Sequence, residues 1–318
     1  MKSMMIKKKY NSGMSMVELM IAMVIGVILL GGAATMFMTN KRIYKEQAEM
    51  GLLQENARFA LDLLADNIRM AGYVGCHDDF DNITNHLTTP GMNDFTDFID
   101  GTQGANDSIT IRYFQPFGVT TTADMGAPDS DIAINDGQGI NENDVLAITD
   151  CANADIFLNT HNDTPGDMLI KHQQDAAGNT SDNLSKSYPT GSMINRVISR
   201  RYFIQDSSNG TGPALWWQHA GGSEELIEGV EKMEILFGED TTGNGRPNSF
   251  ANAGAITDWR DVVAVQVALL MRTVEEYGTI VDERQYDLLG TTYNPVDDRR
   301  RRRVFTTTIQ IRNGMVEN

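Results

Sequence analysis

The chain has 318 residues, 26 basic and 43 acidic side chains, and a formal net charge of −17 at pH 7. Its length allows one large or two small domains in addition to an anchoring segment. An acidic surface repels nucleic acid, so the composition excludes unspecific DNA binding and we expect no nucleic-acid partner.

The stretch from Met14 to Met38 is apolar and carries a single charge, Glu18. An α-helix rises about 1.5 Å per residue, so this stretch can cross a bilayer core of about 30 Å. Three lysines, Lys7–Lys9, precede it. Cations on that side predict a cytoplasmic N-terminus and an exported, periplasmic C-terminal part.

Two small residues, Ser12 and Gly13, precede the apolar run. Ordinary secretory signals place the cleavage site after the apolar region. The reversed order predicts a leader that is removed at the cytoplasmic face, with the apolar helix retained in the mature protein. The alternative is a plain N-terminal anchor with a stray acid near the interface.

Gly13, four mostly apolar residues and then Glu18, opening a long apolar helix, resemble the type IV prepilin family. The resemblance implies that residues 1–13 are a leader, which a prepilin peptidase removes by a cut between Gly13 and Met14. It also implies N-methylation of Met14, although most members have Phe at that first mature position. A carboxylate in apolar surroundings is stabilised by a cation, which the N-terminal amine of an adjacent subunit can supply. Glu18 is therefore the candidate assembly residue.

Apolar residues recur at spacings of three, four or seven from Ile43 to Ala71, and Gly72 follows as a helix stop. This pattern predicts one continuous helix over residues 14–71. We expect its first half, residues 14–38, to lie in the membrane or filament core. The amphipathic second half, residues 39–72, should lie against a sheet.

Alternating and buried apolar patterns predict strands in the exported region, residues 73–318. The predicted strands are Ser108–Phe114, Asn143–Asp150, Ile194–Gln205, Ala214–His219, Leu226–Gly238, Val262–Met271 and Phe305–Arg312. Polar stretches 77–106, 120–141 and 159–190 are expected to be loops, with a helical turn near Phe95 to Ile99. A long helix followed by strands predicts an α+β, pilin-like fold with an antiparallel sheet packed on the second half of the helix.

Cys76 and Cys151 are the two cysteines, and both lie in the part expected to be exported. A disulfide can form and persist in an oxidising compartment, and no third cysteine competes. We therefore predict a Cys76–Cys151 disulfide, with two unpaired buried thiols as the alternative.

Four stretches resemble the PilW family of type IV minor pilins: residues 52–76, 226–245, 257–272 and 298–313. The resemblance implies a non-enzymatic, low-copy subunit of the pilus tip that primes assembly, held in the inner membrane beforehand. It implies partnership with other minor pilins, the major pilin and a PilY-type tip protein. Alternatives are a minor pseudopilin of a type II secretion system and a tip-located adhesin.

Three further patterns bear on chemistry. The segment Asp240 to Gly245 resembles a degraded calcium loop in which Asp240 and Asn244 are weak candidate ligands, and a Gly-rich hairpin turn is the ordinary alternative. Otherwise no cofactor is expected. The run Arg299–Arg303 could form a basic patch, but pairing with the acidic surface is favoured. The histidines lack metal-ligand spacing and no nucleophile motif occurs, so we expect no enzyme.

Overall fold

The structure is a computed structural model that describes residues 13–76, 80–137, 139–161, 168–174, 178–277 and 280–313. The predicted leader lies almost entirely outside the described residues. The chain divides into two compact units, residues 1–51 and 52–318. The α-helix α1 spans Met16–Met70 and contributes residues to both units.

Among the described residues, sixteen strands follow the helix in the second unit. They are β1 Ile83–Asn85, β2 Ile99–Thr102, β3 Ser108–Thr120, β4 Ile132–Ala133, β5 Val145–Thr149, β6 Ala154–Leu158, β7 Leu169–Ile170, β8 Met193–Asp206, β9 Pro213–His219, β10 Gly222–Glu228, β11 Val230–Glu239, β12 Ser249–Ala251, β13 Val262–Arg272, β14 Tyr286–Leu288, β15 Thr291–Tyr293 and β16 Arg302–Gln310. The predicted α+β, pilin-like class of one long helix and a β-rich domain is confirmed.

Two main sheets organise these strands. The larger has the order β1-β6-β5-β8-β3-β2, with β9 also paired to β8 and β10 paired to β9. The smaller has the order β12-β11-β13-β16, and all its neighbours are antiparallel. The pair β1–β6 is parallel, a departure from the expected antiparallel arrangement.

The last turns of α1 are buried along one stripe. Leu53, Ala57, Ala60, Leu64 and Ile68 are buried and recur every three or four positions, so they share one helical face, which the buried Ala65 adjoins. Asn67 Oδ1 accepts a hydrogen bond from Arg200 of β8 at 2.5 Å, and the Gly72 N–H donates to the Arg112 carbonyl of β3 at 3.0 Å. These bonds hold the end of the helix against the larger sheet.

The middle of the chain has a polar composition but contains an apolar core of its own, which is called the second core below. Twelve buried residues pack together there: Val119, Met125, Ile132, Ile134, Ile140, Leu146, Ile148, Phe157, Ile170, Leu184, Tyr188 and Ile194. Most of them are isolated apolar residues in polar surroundings, without the alternation that marks a strand. The stretches expected to be loops therefore wrap an apolar cluster and contribute the short strands β4 and β7.

The segment predicted as one strand, Leu226 to Gly238, is two strands. Gly229 has φ +79°, and a Cβ there would lie 2.7 Å from the Arg272 carbonyl oxygen. The chain turns at this glycine, so β10 pairs with β9 in the larger sheet and β11 pairs with β13 in the smaller one. The helical turn expected near Phe95 to Ile99 was also wrong, because a 3-10 turn lies earlier, at Gly91–Asn93.

Candidate functional site

The N-terminal motif lies at the start of α1. Gly13, Met14 and Ser15 precede the first helical residue, Met16, and are exposed. The Ser15 hydroxyl accepts a hydrogen bond from the Val17 N–H at 3.3 Å, as an N-cap side chain does. The Gly13–Met14 peptide bond therefore lies before the first helical residue.

Glu18 occupies the first turn of α1, and its side chain is exposed. Acids in a first turn are stabilised by the positive end of the helix dipole. The surrounding surface is apolar, so the carboxylate is the one anionic group that this part of the helix presents to a membrane or to a neighbouring helix.

The large apolar side chains from Met14 to Met38 are exposed in the described structure. They include Met14, Met16, Val17, Leu19, Met20, Ile21, Met23, Val24, Ile25, Val27, Ile28, Leu29, Leu30, Met36, Phe37 and Met38. An apolar surface this continuous requires a covering of lipid or protein. The helix is long and apolar enough to cross a membrane.

Gly26, Gly31 and Gly32 lie within this apolar surface, and a Cβ at each would meet nothing within 4 Å. Small residues let two helix backbones approach closely in a membrane or a helical bundle. The surface can therefore accommodate another helix.

The two cysteines form the predicted disulfide, with their Cα atoms 5.0 Å apart. Cys76 follows the end of α1, and Cys151 lies in the turn between β5 and β6, with φ +71°. The bond therefore ties the end of the helix to the strands that bound the second core.

Asp240 belongs to the loop after β11 that resembles a degraded calcium site. Its carboxylate accepts hydrogen bonds from the Thr242 N–H and hydroxyl, each at 3.0 Å, and from the Gly245 N–H at 2.5 Å. Although desolvation opposes it, these donors lower the pKa of Asp240. Asn244 Oδ1 accepts from the Arg246 N–H at 2.9 Å, so both candidate ligands hold the turn itself.

The arginine run is distributed among internal partners. The Arg302 side chain is fully buried and contacts Glu231, through Nε–Oε2 at 2.5 Å, and Asp298, through Nη1–Oδ1 at 2.7 Å. Arg299 pairs with Glu276 at 3.0 Å, and Arg300 pairs with Asp298 at 3.5 Å. The preference for pairing with acidic residues is confirmed for these three arginines.

The histidines are engaged in separate local contacts. His86 bonds to Asp155 at 2.8 Å, His172 to the Ser130 carbonyl at 3.1 Å, and His219 lies 3.4 Å from Glu224. His161 also has a partner, and His77 lies outside the described residues. Within the part of the chain that the structure describes, no three His, Cys, Asp or Glu side chains are grouped so as to hold a metal ion.

Sequence reasoning missed Asp155, a fully buried carboxylate beneath the second core. It accepts hydrogen bonds from the His86 ring, from the Ser185 hydroxyl at 2.7 Å and from the Tyr188 hydroxyl at 2.8 Å. Burial and the Asp155 charge raise the pKa of Tyr188 far above its usual range. The partners lie 30 or more positions away in the chain, so no local pattern signals the network.

Comparison with known protein families gives two matches. Residues 8–34 match the prokaryotic N-terminal methylation motif, which includes Gly13, Met14 and Glu18. Residues 201–313 match the family described as Type IV Pilus-assembly protein W. The chain matches a PilW-type, prepilin-like protein.

The PilW match covers β9 to β16 and the end of β8, so it includes the whole smaller sheet and the buried Arg302. Residues 35–200, which contain the second core, lie outside both matches. Comparisons with curated proteins and with solved structures found no match. The two family matches support a type IV pilus-related minor pilin, a structural class of protein.

Proposed function

We propose that this PilW-type protein is a minor pilin of the tip or initiation complex and that it primes assembly of a type IV pilus. The observation that carries the proposal is the N-terminal motif at the start of an exposed apolar helix, in a chain whose C-terminal part matches PilW. A soluble enzyme or carrier has no use for such a surface, whereas a subunit that moves from the membrane into a helical bundle needs it.

In this proposal the leader remains in the cytoplasm, α1 crosses the inner membrane, and the sheets lie in the periplasm before assembly. Prepilin peptidase cuts between Gly13 and Met14, and the new amine is methylated. The disulfide agrees with this topology, because disulfides persist in an oxidising compartment. Other minor pilins, the major pilin and a PilY-type tip protein are the proposed partners.

Intact-mass measurement of protein purified from cells with active peptidase tests the cleavage site. We expect a mature chain that begins at Met14 and carries one added methyl group. Retention of residues 1–13, or a different N-terminus, would contradict the proposed processing.

Deletion of the gene tests the priming role. We expect few or no surface pili and loss of twitching motility, with both restored by a plasmid copy. A deletion strain that keeps normal numbers of pili would rule out priming and would leave an accessory role at the tip, such as adhesion.

Substitution of Glu18 distinguishes an effect on pilus assembly from an effect on folding. Glu18→Ala should leave the disulfide and the folded sheets intact but reduce recovery of partner pilins, because the cation on a neighbouring helix loses its counter-ion. Glu18→Asp retains the charge with a shorter reach and should be partly defective. Normal pili in the Glu18→Ala strain would show that this pairing is unimportant here.

A further inference from the structure

The outer edge of β16 is an unpaired strand edge in the described structure. β16 pairs with β13 over nine consecutive residues without a register shift. It is the last strand of the smaller sheet, and no described strand pairs with its other side.

The direction of the main-chain groups along β16 follows from the hydrogen bonds at its two ends. The Ile311 N–H donates to the Val263 carbonyl at 2.9 Å, and the Thr273 N–H donates to the Arg301 carbonyl at 2.9 Å. Main-chain groups alternate between the two sides of a strand, so the odd-numbered residues face β13. The N–H and C=O groups of the even-numbered residues, Thr306, Thr308 and Gln310 among them, therefore point outward.

From Arg303 to Gln310 this edge lacks the features that usually prevent strand addition, such as an inward charge, a proline or a bulge, and the inward charge of β16, Arg302, lies at the first residue of the strand. The side chains of Thr306, Thr308 and Gln310 are exposed. The hairpin β14–β15 packs against the beginning of the strand, at Val304. By contrast, the edge strand β10 carries Glu224, Glu225 and Glu228 and has an irregular register with β9.

The charge at the two ends of the edge indicates the chemistry of a partner. Arg303 and Arg312 are exposed, and neither has a carboxylate partner within the described ranges. In a chain with a formal net charge of −17, two such arginines beside an open edge favour an acidic segment. A second copy of this chain that paired its β16 strand antiparallel in the register centred on Thr306 would bring Arg312 of one copy opposite Arg300 of the other, so like charges disfavour that register.

We propose that the outer edge of β16 binds an extended, acidic segment of another pilus subunit by strand addition. The inference rests on the proposed pilus function, which supplies the identity of the partner. Main-chain hydrogen bonds to Thr306, Thr308 and Gln310 would hold the added strand, and Arg303 and Arg312 would select acidic side chains.

Hydrogen exchange on the full-length protein tests whether the edge becomes covered. In the isolated protein the amides of Thr306, Thr308 and Gln310 should exchange freely, while those of Phe305, Thr307 and Ile309 are protected. In the assembled pilus complex the even-numbered amides should slow by roughly 100-fold or more. Protection already present in the isolated protein, or fast exchange in the complex, would overturn the proposal.

Proline substitution provides a matched pair of variants. Thr308→Pro removes an outward N–H and is tolerated at a strand edge, so the fold should survive while partner binding weakens by about tenfold or more. Thr308→Ala keeps the N–H and should bind normally. Thr307→Pro removes an N–H that faces β13 and should disrupt the sheet, which verifies the assigned direction of the groups.

A photoreactive p-benzoylphenylalanine at position 308 of the full chain, incorporated in cells, identifies the occupant. A cross-link to an acidic, extended segment of another pilus subunit supports the proposal, whereas a cross-link to a second copy overturns it. If gene deletion abolishes pili but Thr308→Pro assembles normally, strand addition fails and priming stands. If deletion leaves pili normal, the priming role is wrong, and the cross-linking and hydrogen-exchange results then test strand addition at β16 independently.

Discussion

Arg302 shows how one side chain of a charged run can differ from its neighbours. It is fully buried between the carboxylates of Glu231, Asp298 and Asp282, whereas the adjacent Arg303 is exposed and lies over the Phe305 ring at 5.3 Å. A buried guanidinium can satisfy two carboxylates with its planar fork, which a lysine cannot do. Within the run, Arg302 therefore has a structural role that the exposed Arg303 lacks.

Arg302→Ala should destabilise the second unit by about 3–5 kcal/mol, because removal of one partner leaves buried carboxylates uncompensated. Arg303→Ala is the matched control and should change the stability by less than about 0.5 kcal/mol. Denaturant unfolding of the full-length protein in detergent, followed by tryptophan fluorescence, measures both. Equal stabilities of the two variants would contradict the assigned role of Arg302.

Asp282 belongs to the same cluster and predicts a pH dependence. Desolvation opposes its charge, but hydrogen bonds from Arg284 and Tyr286 outweigh this and lower its pKa to about 2. Because the pKa of Asp282 is lower in the folded protein than in the unfolded chain, its charged form stabilises the fold. This stabilisation is complete above about pH 4, the pKa of an unfolded Asp, and is lost as the pH falls to about 2. The contribution is about 2 kcal/mol.

Unfolding free energies measured between pH 6 and pH 2 should therefore fall across that acid window. Asp282→Asn should be less stable at pH 6 and should show a flatter decline below pH 4. A variant whose pH profile runs parallel to that of the wild type would show that Asp282 does not contribute to it.

Gly229 determines how one predicted strand becomes two. Its left-handed backbone and the nearby Arg272 carbonyl leave no space for a side chain. The chain therefore passes from the larger sheet to the smaller one at this position. The two main sheets of the second unit are connected through this turn.

Gly229→Ala should lower the stability by more than the roughly 1–2 kcal/mol expected for a left-handed alanine alone, because the new Cβ also meets a carbonyl oxygen. Gly210→Ala is the control, since Gly210 has φ +69° but nothing within 4 Å of a Cβ. Thermal or denaturant unfolding compares the pair. A Gly229→Ala variant no less stable than Gly210→Ala would contradict the steric argument.

The Cys76–Cys151 bond links the end of α1 to the turn between β5 and β6, two strands that contribute residues to the second core. A cross-link that closes a long loop stabilises the folded state mainly by restricting the unfolded chain. The second core and the Asp155 network then need to supply less of the free energy that orders this region.

Replacing both cysteines with alanine should lower the free energy of unfolding by about 2–4 kcal/mol. Residues 117–194 should show the largest loss of hydrogen-exchange protection, while the smaller sheet around β13 changes little. Uniform loss of protection across both sheets would contradict a local tether, and no loss would show that the bond is dispensable.

The amino-acid sequence by itself determines the helix, the N-terminal motif, the central strand β13 and the identity of the cysteine pair. The reason is that each depends on local information: an unbroken apolar run, a short motif, alternation within a strand, or the presence of only two cysteines. For the same reason, the hairpin β8–β9 could be predicted from its Asn-Gly turn.

The tertiary structure decided the rest, because those features depend on residues far apart in the chain. The second core gathers single apolar residues from several polar stretches, and Asp155 acquires its partners only when those stretches fold together. Likewise, the burial of Arg302 and the open edge of β16 follow from the position of β16 beside β13 at the end of a sheet. No local sequence pattern predicts that β16 is the last strand of the sheet, because strand order is set by packing between distant segments.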